Sequence, residues 1–205
     1  MGTRDFLYTR TQKMKNRNLI LFLLLSIFTI TSYAVSKGNP IICTQEYALC
    51  TSAPCIPDPR NPAHAICSCV VENGDSVGYQ TCDKRTPKKG PFKTKLVSST
   101  FSFKQFNSKK SMSCARGKPW TDCLDSPCTI NPMDEKKAIC SCKIHHDQAF
   151  ITFGGGCDVT TCATGFWSGA TITTSRALSK ALFEKLYITK NPRPNEKCSN
   201  EKVSQ

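Results

Sequence analysis

Cys50-Thr51-Ser52-Ala53-Pro54-Cys55 and Cys123-Leu124-Asp125-Ser126-Pro127-Cys128 share a frame of two cysteines with a proline before the second. Further along, each is followed by Ala-Ile-Cys-Ser-Cys, at Ala65–Cys69 and again at Ala138–Cys142. All these pairs are offset by 73 residues, and nine of the twenty positions in 50–69 and 123–142 are identical. Self-similarity at a fixed offset predicts a duplicated structural unit. Outside this segment the match loosens: Cys43 corresponds to Cys114 and Cys82 to Cys157.

Six cysteines then fall in each copy, leaving Cys162 and Cys198 over. The simplest accounting is three bridges within each copy and a Cys162–Cys198 staple holding the C-terminal tail. Six cysteines allow fifteen connectivities, so pairing needs a further argument. Turn formers stand between two short runs, as Asp58-Pro59-Arg60-Asn61-Pro62 and Asn131-Pro132-Met133-Asp134. This predicts a β-hairpin in each copy. If Ile130 faces Ala138, Cys128 faces Cys140 on the same side of the ladder. The expected bridges are therefore Cys128–Cys140 and Cys55–Cys67. The two cysteines of each Cys-x-Cys share a strand face and should bond to different partners.

Such bridges require an oxidising compartment. Lys13, Lys15 and Arg17 precede an apolar run from Leu19 to Ile30, and Ser32 and Ala34 form a small-x-small site. That is the pattern of a cleaved secretory signal. The run is short of the roughly 20 apolar residues of a bilayer span. Residues 1–34 are thus expected to be a signal peptide, translated from Met1 or Met14, with no transmembrane span in the mature chain. All fourteen cysteines follow it, beginning at Cys43. The expected location is secreted or periplasmic.

Frequent prolines and glycines with few helical stripes predict a small, disulfide-rich, mostly β fold. It is read as a first cysteine-rich module with a basic β segment or linker (40–110), a second module (111–174), and an amphipathic helix with tail (175–205). Phe92–Phe106 is read as one or two strands, with Phe101 and Phe103 on one side. Its counterpart is Gly165–Ile172. Leu178, Leu182 and Leu186 fall at a spacing of four, predicting a helix packed on the second module.

The chain carries 28 Lys and Arg against 15 Asp and Glu, for a net charge of +13. From Val35 onward 23 basic residues face 14 acidic ones. This balance favours anionic partners: an anionic glycan, a lipid head group or an acidic protein surface. The charge concentrates between Lys84 and Lys110, where nine Lys and Arg occur with no Asp or Glu and four phenylalanines interleave. Lys84, Arg85, Lys88, Lys89, Lys93, Lys95 and Phe92 are the candidate binding residues. A solvated basic linker with buried phenylalanines is the bland alternative.

No paired carboxylate recurs in both copies, no thioredoxin-like Cys-x-x-Cys occurs, and Gly154-Gly155-Gly156 lacks a following Lys-Ser/Thr. The chain is therefore not expected to be an enzyme, nor to need a cofactor. His64 is read as a solvated turn residue. Cys140, Cys142, His145 and His146 have the ligand types for a metal-handling protein if the thiols are free. A hydrolase inhibitor is a further alternative that a rigid stapled scaffold suits.

Overall fold

A computed structural model describes residues 38–51, 53–107, 111–153 and 166–185. Residues 1–34, read above as a signal peptide, and Gly154–Gly156, Cys157, Cys162, Leu186 and Cys198 lie outside them. Two hairpins stand at the centre. The first joins β2 (Pro54–Asp58) to β3 (Asn61–Gly78). The other, made of β8 (Pro127–Asn131) and β9 (Asp134–His145), uses the same turn chemistry. Asp58 and Asn61 accept the backbone N–H two residues on, and Asn131 and Asp134 do the same. Short Asx side chains suit this job because they mimic a backbone turn. Across the ladders Cys55 faces Cys67 and Cys128 faces Cys140. Both pairs are disulfides, with Cα atoms 4.1 and 4.2 Å apart. The other members of each Cys-x-Cys bond elsewhere, as Cys50–Cys69 and Cys123–Cys142.

The hairpins meet through their long strands. β3 and β9 run antiparallel, with Cys67 opposite Cys140, Ala65 opposite Cys142 and Cys69 opposite Ala138. Cys67 and Cys140 thus face each other as counterparts, and the pairs on either side exchange across a local two-fold centred between them. Two further strands cross between the hairpins. β5 (Lys95–Thr100) runs parallel to β1 (Ile41–Leu49) on one side and antiparallel to β8 on the other. Reciprocally, β11 (Phe166–Thr171) runs parallel to β7 (Trp120–Asp122) and antiparallel to β2. Each half thus lends a strand to the other. The circuit β3–β1–β5–β8–β9 closes on itself, as does β9–β7–β11–β2–β3. Closure covers edges that would otherwise expose unpaired backbone groups.

Sulfur fills the interior that these strands enclose. Eight cysteines pack with Ala48, Ala53, Ala65, Ala138, Val97 and Ile130 in one buried cluster. The Sγ of Cys50 lies 3.3 Å from that of Cys140, in the other half. Alanine opposite cysteine in the β3–β9 ladder leaves room for this packing. A chain with too little apolar bulk gains stability here from cross-links, typically about 2–4 kcal/mol each.

The second core lies under α2 (Ile172–Lys185), which the backbone enters directly from β11. Thr171 caps the helix, its Oγ1 accepting the Thr174 N–H, worth about 1 kcal/mol. Leu178 and Leu182 pack on Val77, Phe101 and Ala170. The helix therefore covers residues of both halves, whereas its spacing had pointed to the second module alone. Phe103 and Phe106 close over it, with ring centroids 5.3 and 6.1 Å from Phe183.

Three expectations change in detail. The 92–106 segment holds one strand, β5, flanked by 3-10 turns at Pro91–Lys93 and Phe103–Asn107. Ile172 opens the helix instead of ending a strand. His64 sits on β3, not in the turn, with Nδ1 3.0 Å from Ser141 Oγ of the opposite half.

Candidate functional site: a basic hairpin with an aromatic tip

Part of the basic stretch is not a linker, because β5 is built into the closed sheet. What precedes β5 projects from it. The chain makes a single helical turn, α1 (Cys82–Arg85), tied to β1 by the Cys43–Cys82 disulfide. It then folds back as β4 (Lys88–Lys89) against the start of β5. Lys88 faces Leu96 and Lys89 faces Lys95. Two lysines directly opposite repel each other, and an ion pair between Lys95 and Glu46 of β1 offsets that cost.

The tip is Gly90-Pro91-Phe92-Lys93-Thr94. Gly90 N–H donates to Thr94 O (2.8 Å), and Thr94 N–H and Oγ1 both donate to Pro91 O. A side chain at 90 would crowd the turn, since a Cβ there would stand 2.6 Å from Thr94 Oγ1 and 2.9 Å from Leu96 Cγ. Phe92 and Lys93 take φ of 53° and 61°. Left-handed backbone costs a non-glycine residue roughly 1–2 kcal/mol, and here two occur in succession. The result is a phenylalanine 98% exposed. Of the four phenylalanines in the basic stretch, Phe101 and Phe106 are buried and Phe103 is packed against the helix core.

Lys84, Lys88, Lys89, Lys93 and Lys95 are all exposed. Arg85 is not, and it leaves the set of binding residues. Its side chain is fully buried, and its guanidinium donates to Ile41 O (2.8 Å) and to the Cys43 sulfur. Burial pulls its pKa below the usual arginine value, and the nearby Asp125 carboxylate opposes that. Asp125 itself accepts the N–H groups of Tyr79 (2.7 Å) and Gln80 (3.3 Å). Gly78 lies between the two charges: a Cβ there would stand 2.3 Å from Asp125 Oδ1 and 3.1 Å from Arg85 Nη1. Arg85 is thus a structural cation that ties α1 to β1, with the Asp125 carboxylate near it.

Two clefts flank the hairpin. One, of ≈ 270 Å³, is lined by Lys84, Lys88, Gln80, Ser98 and Asp125. The other, of ≈ 300 Å³, is lined by Lys93, Lys95, Asn131, Glu46 and Glu135. Carboxylates line both, so neither is a purely cationic pocket. Along the chain, the four residues on either side of Phe92 include Lys88, Lys89, Lys93 and Lys95 and no Asp or Glu.

The metal-ligand set does not assemble. Cys140 and Cys142 are bonded to Cys128 and Cys123 and offer no thiolate. Sulfurs of Cys50, Cys128 and Cys140, and of Cys67, Cys123 and Cys142, do lie within 4.8 Å of one another, but all six are in disulfides. His145 stacks on Trp120 with centroids 5.0 Å apart, and His146 is exposed.

Phe92 could not be told from its buried neighbours by sequence alone; the adjoining Gly-Pro was the signal for a turn. The closed disulfide core and the exposed basic hairpin define a disulfide-rich β protein. Its five described disulfides and the bonded Cys114 fit an oxidising compartment, and no described helix is long and apolar enough to cross a membrane. No protein-family model, curated protein or solved structure matches the chain.

Proposed function

We propose that this is a secreted or periplasmic binding protein, not an enzyme, that engages anionic surfaces through Lys84, Lys88, Lys89 and Lys93. One observation carries the reading. The second half builds β11, the counterpart of β5, after a stretch (157–165) that contains no Lys or Arg. The fold therefore has no need of lysines before that strand, and their presence on the exposed hairpin calls for another reason. Clustered cations raise the local concentration of polyanions and speed encounter with them.

The test replaces Lys88, Lys89 and Lys93 together with Glu and measures binding to immobilised heparin over a salt series. Wild-type protein should be retained and released by salt. The triple variant should lose affinity at least about 30-fold, since each cation near an anionic surface contributes about 1 kcal/mol. Retention unchanged by charge reversal removes the basis for the assignment.

A further inference from the structure

We infer that the anionic surface is a lipid bilayer, which Phe92 enters while the lysines beside it contact head groups. This rests on the proposed function and adds to it the class of partner and the residue that inserts. Three observations converge on the tip. Phe92 is 98% exposed on a turn held left-handed at two successive residues, Phe92 and Lys93. Backbone strain of this kind persists only where surrounding structure enforces it, and it marks ligand-contacting segments. Here the enforcing elements are the Gly90–Thr94 and Thr94–Pro91 hydrogen bonds.

The second observation is the solitude of that ring. A glycan or single-stranded nucleic acid held by stacking uses several aromatic faces along a groove. The other three phenylalanines of the basic stretch are turned into the protein. An exposed phenylalanine at a hairpin tip has the form of a wedge for an interface, where burial of apolar area and attraction to anionic lipid act together.

Third, among the large apolar side chains exposed in the described residues, Phe92 has flanking charge that is all positive, whereas Met133 is followed by Asp134 and Glu135. Lys88, Lys89 and Lys93 lie within four residues of Phe92 and no Asp or Glu does, while Asp125, Glu46 and Glu135 line the two clefts that Lys88 and Lys93 border. A flexible polyanion wrapping the hairpin would meet those carboxylates. A flat anionic surface meets the tip alone.

The experiment uses oxidised protein recovered from the compartment to which an expressing cell exports it, with Phe92→Ser and Phe92→Trp made in the same way. Co-sedimentation with phosphatidylcholine vesicles, alone or carrying one quarter phosphatidylglycerol, is compared with heparin binding. Wild-type protein should bind the anionic vesicles and not the neutral ones. Phe92→Ser should weaken vesicle binding about ten-fold and leave heparin binding within about two-fold, because it keeps every lysine. The added emission of Phe92→Trp should shift to the blue on anionic vesicles and be quenched by brominated lipid.

Vesicle binding by Phe92→Ser equal to wild type, or unshifted Phe92→Trp emission, overturns the insertion. Heparin binding with no vesicle binding also overturns it, and makes a polyanionic chain the partner while the proposed function stands. Binding to neither removes both.

Discussion

In the first half β1 runs unbroken for nine residues against the far end of β3, from Ile41 opposite Gly78 to Leu49 opposite Val70. In the second half the equivalent stretch is cut into β6 (Ser111–Cys114) and β7. Gly117, at a φ of 90°, and Pro119 stand in the gap. Proline cannot donate to a ladder, and glycine at positive φ turns the chain out of it. β6 pairs instead with β10 (Phe150–Phe153), and β9 keeps β7. The cysteine-held hairpins stay alike while the ladders around them diverge.

One cross-strand pair makes the point at the level of side chains. Tyr47 faces Glu72 in the first half, and Trp120 faces His145 at the same position in the second. Both large rings are 1% exposed. Burial pushes the Tyr47 phenol above its usual pKa, with a Ser102 hydrogen bond opposing the shift. Around Trp120 an aromatic stack replaces this arrangement: Phe150 lies 5.4 Å away at 12° and His145 5.0 Å away at 26°. Glu72 is paired with Lys104 on the surface. His145 thus fills a packing position that needs no metal to account for it. Covalent cross-links hold each hairpin whatever its neighbours do, which leaves the periphery free to differ, and the basic tip lies on that periphery.

The severest way to break the comparison is to remove one hairpin bridge at a time. Replacing Cys55 and Cys67 with Ala, or Cys128 and Cys140, should each cost about 2–5 kcal/mol in denaturant unfolding. If the halves share one interior, the two costs should agree within about 1 kcal/mol and each variant should unfold in a single transition. Unequal costs, or two transitions, would mean that the halves are separate folding units.

Asp125 offers a one-sided test, because the position 73 residues earlier is Ser52. Asp125 has a φ of 60°, which Asn tolerates, so Asp125→Asn removes charge without disturbing the turn. It should destabilise by about 1–3 kcal/mol, since the buried Arg85 loses its counter-charge. A change below a few tenths would show that Arg85 does not depend on it.

The smallest expected effect concerns the tip and carries the opposite sign. Lys93→Gly should stabilise the fold by up to about 1 kcal/mol by relieving a left-handed residue, while weakening binding to anionic vesicles. A destabilised variant would mean that the turn is held by contacts of the Lys93 side chain.

Several features were legible without coordinates. The hairpins, their Asx turns and the facing of Cys55 with Cys67 follow from short-range pattern, where neighbours in sequence are neighbours in space. Arg85 was not legible: in a charge count it is one cation beside Lys84, and only the fold shows one buried and the other exposed. The exchange of β5 and β11 was equally silent. It rests on a few residue pairs, such as Val97 with Cys128, that link distant segments and leave no periodic signal.

By itself, the order of residues determined the two cysteine-framed hairpins, because disulfide reach and the alternation of a strand are local constraints. Tertiary structure alone decided which half each strand completes, which cation is buried, and which phenylalanine faces water. Those outcomes depend on how distant segments compete to cover one small interior, and no local pattern records that competition.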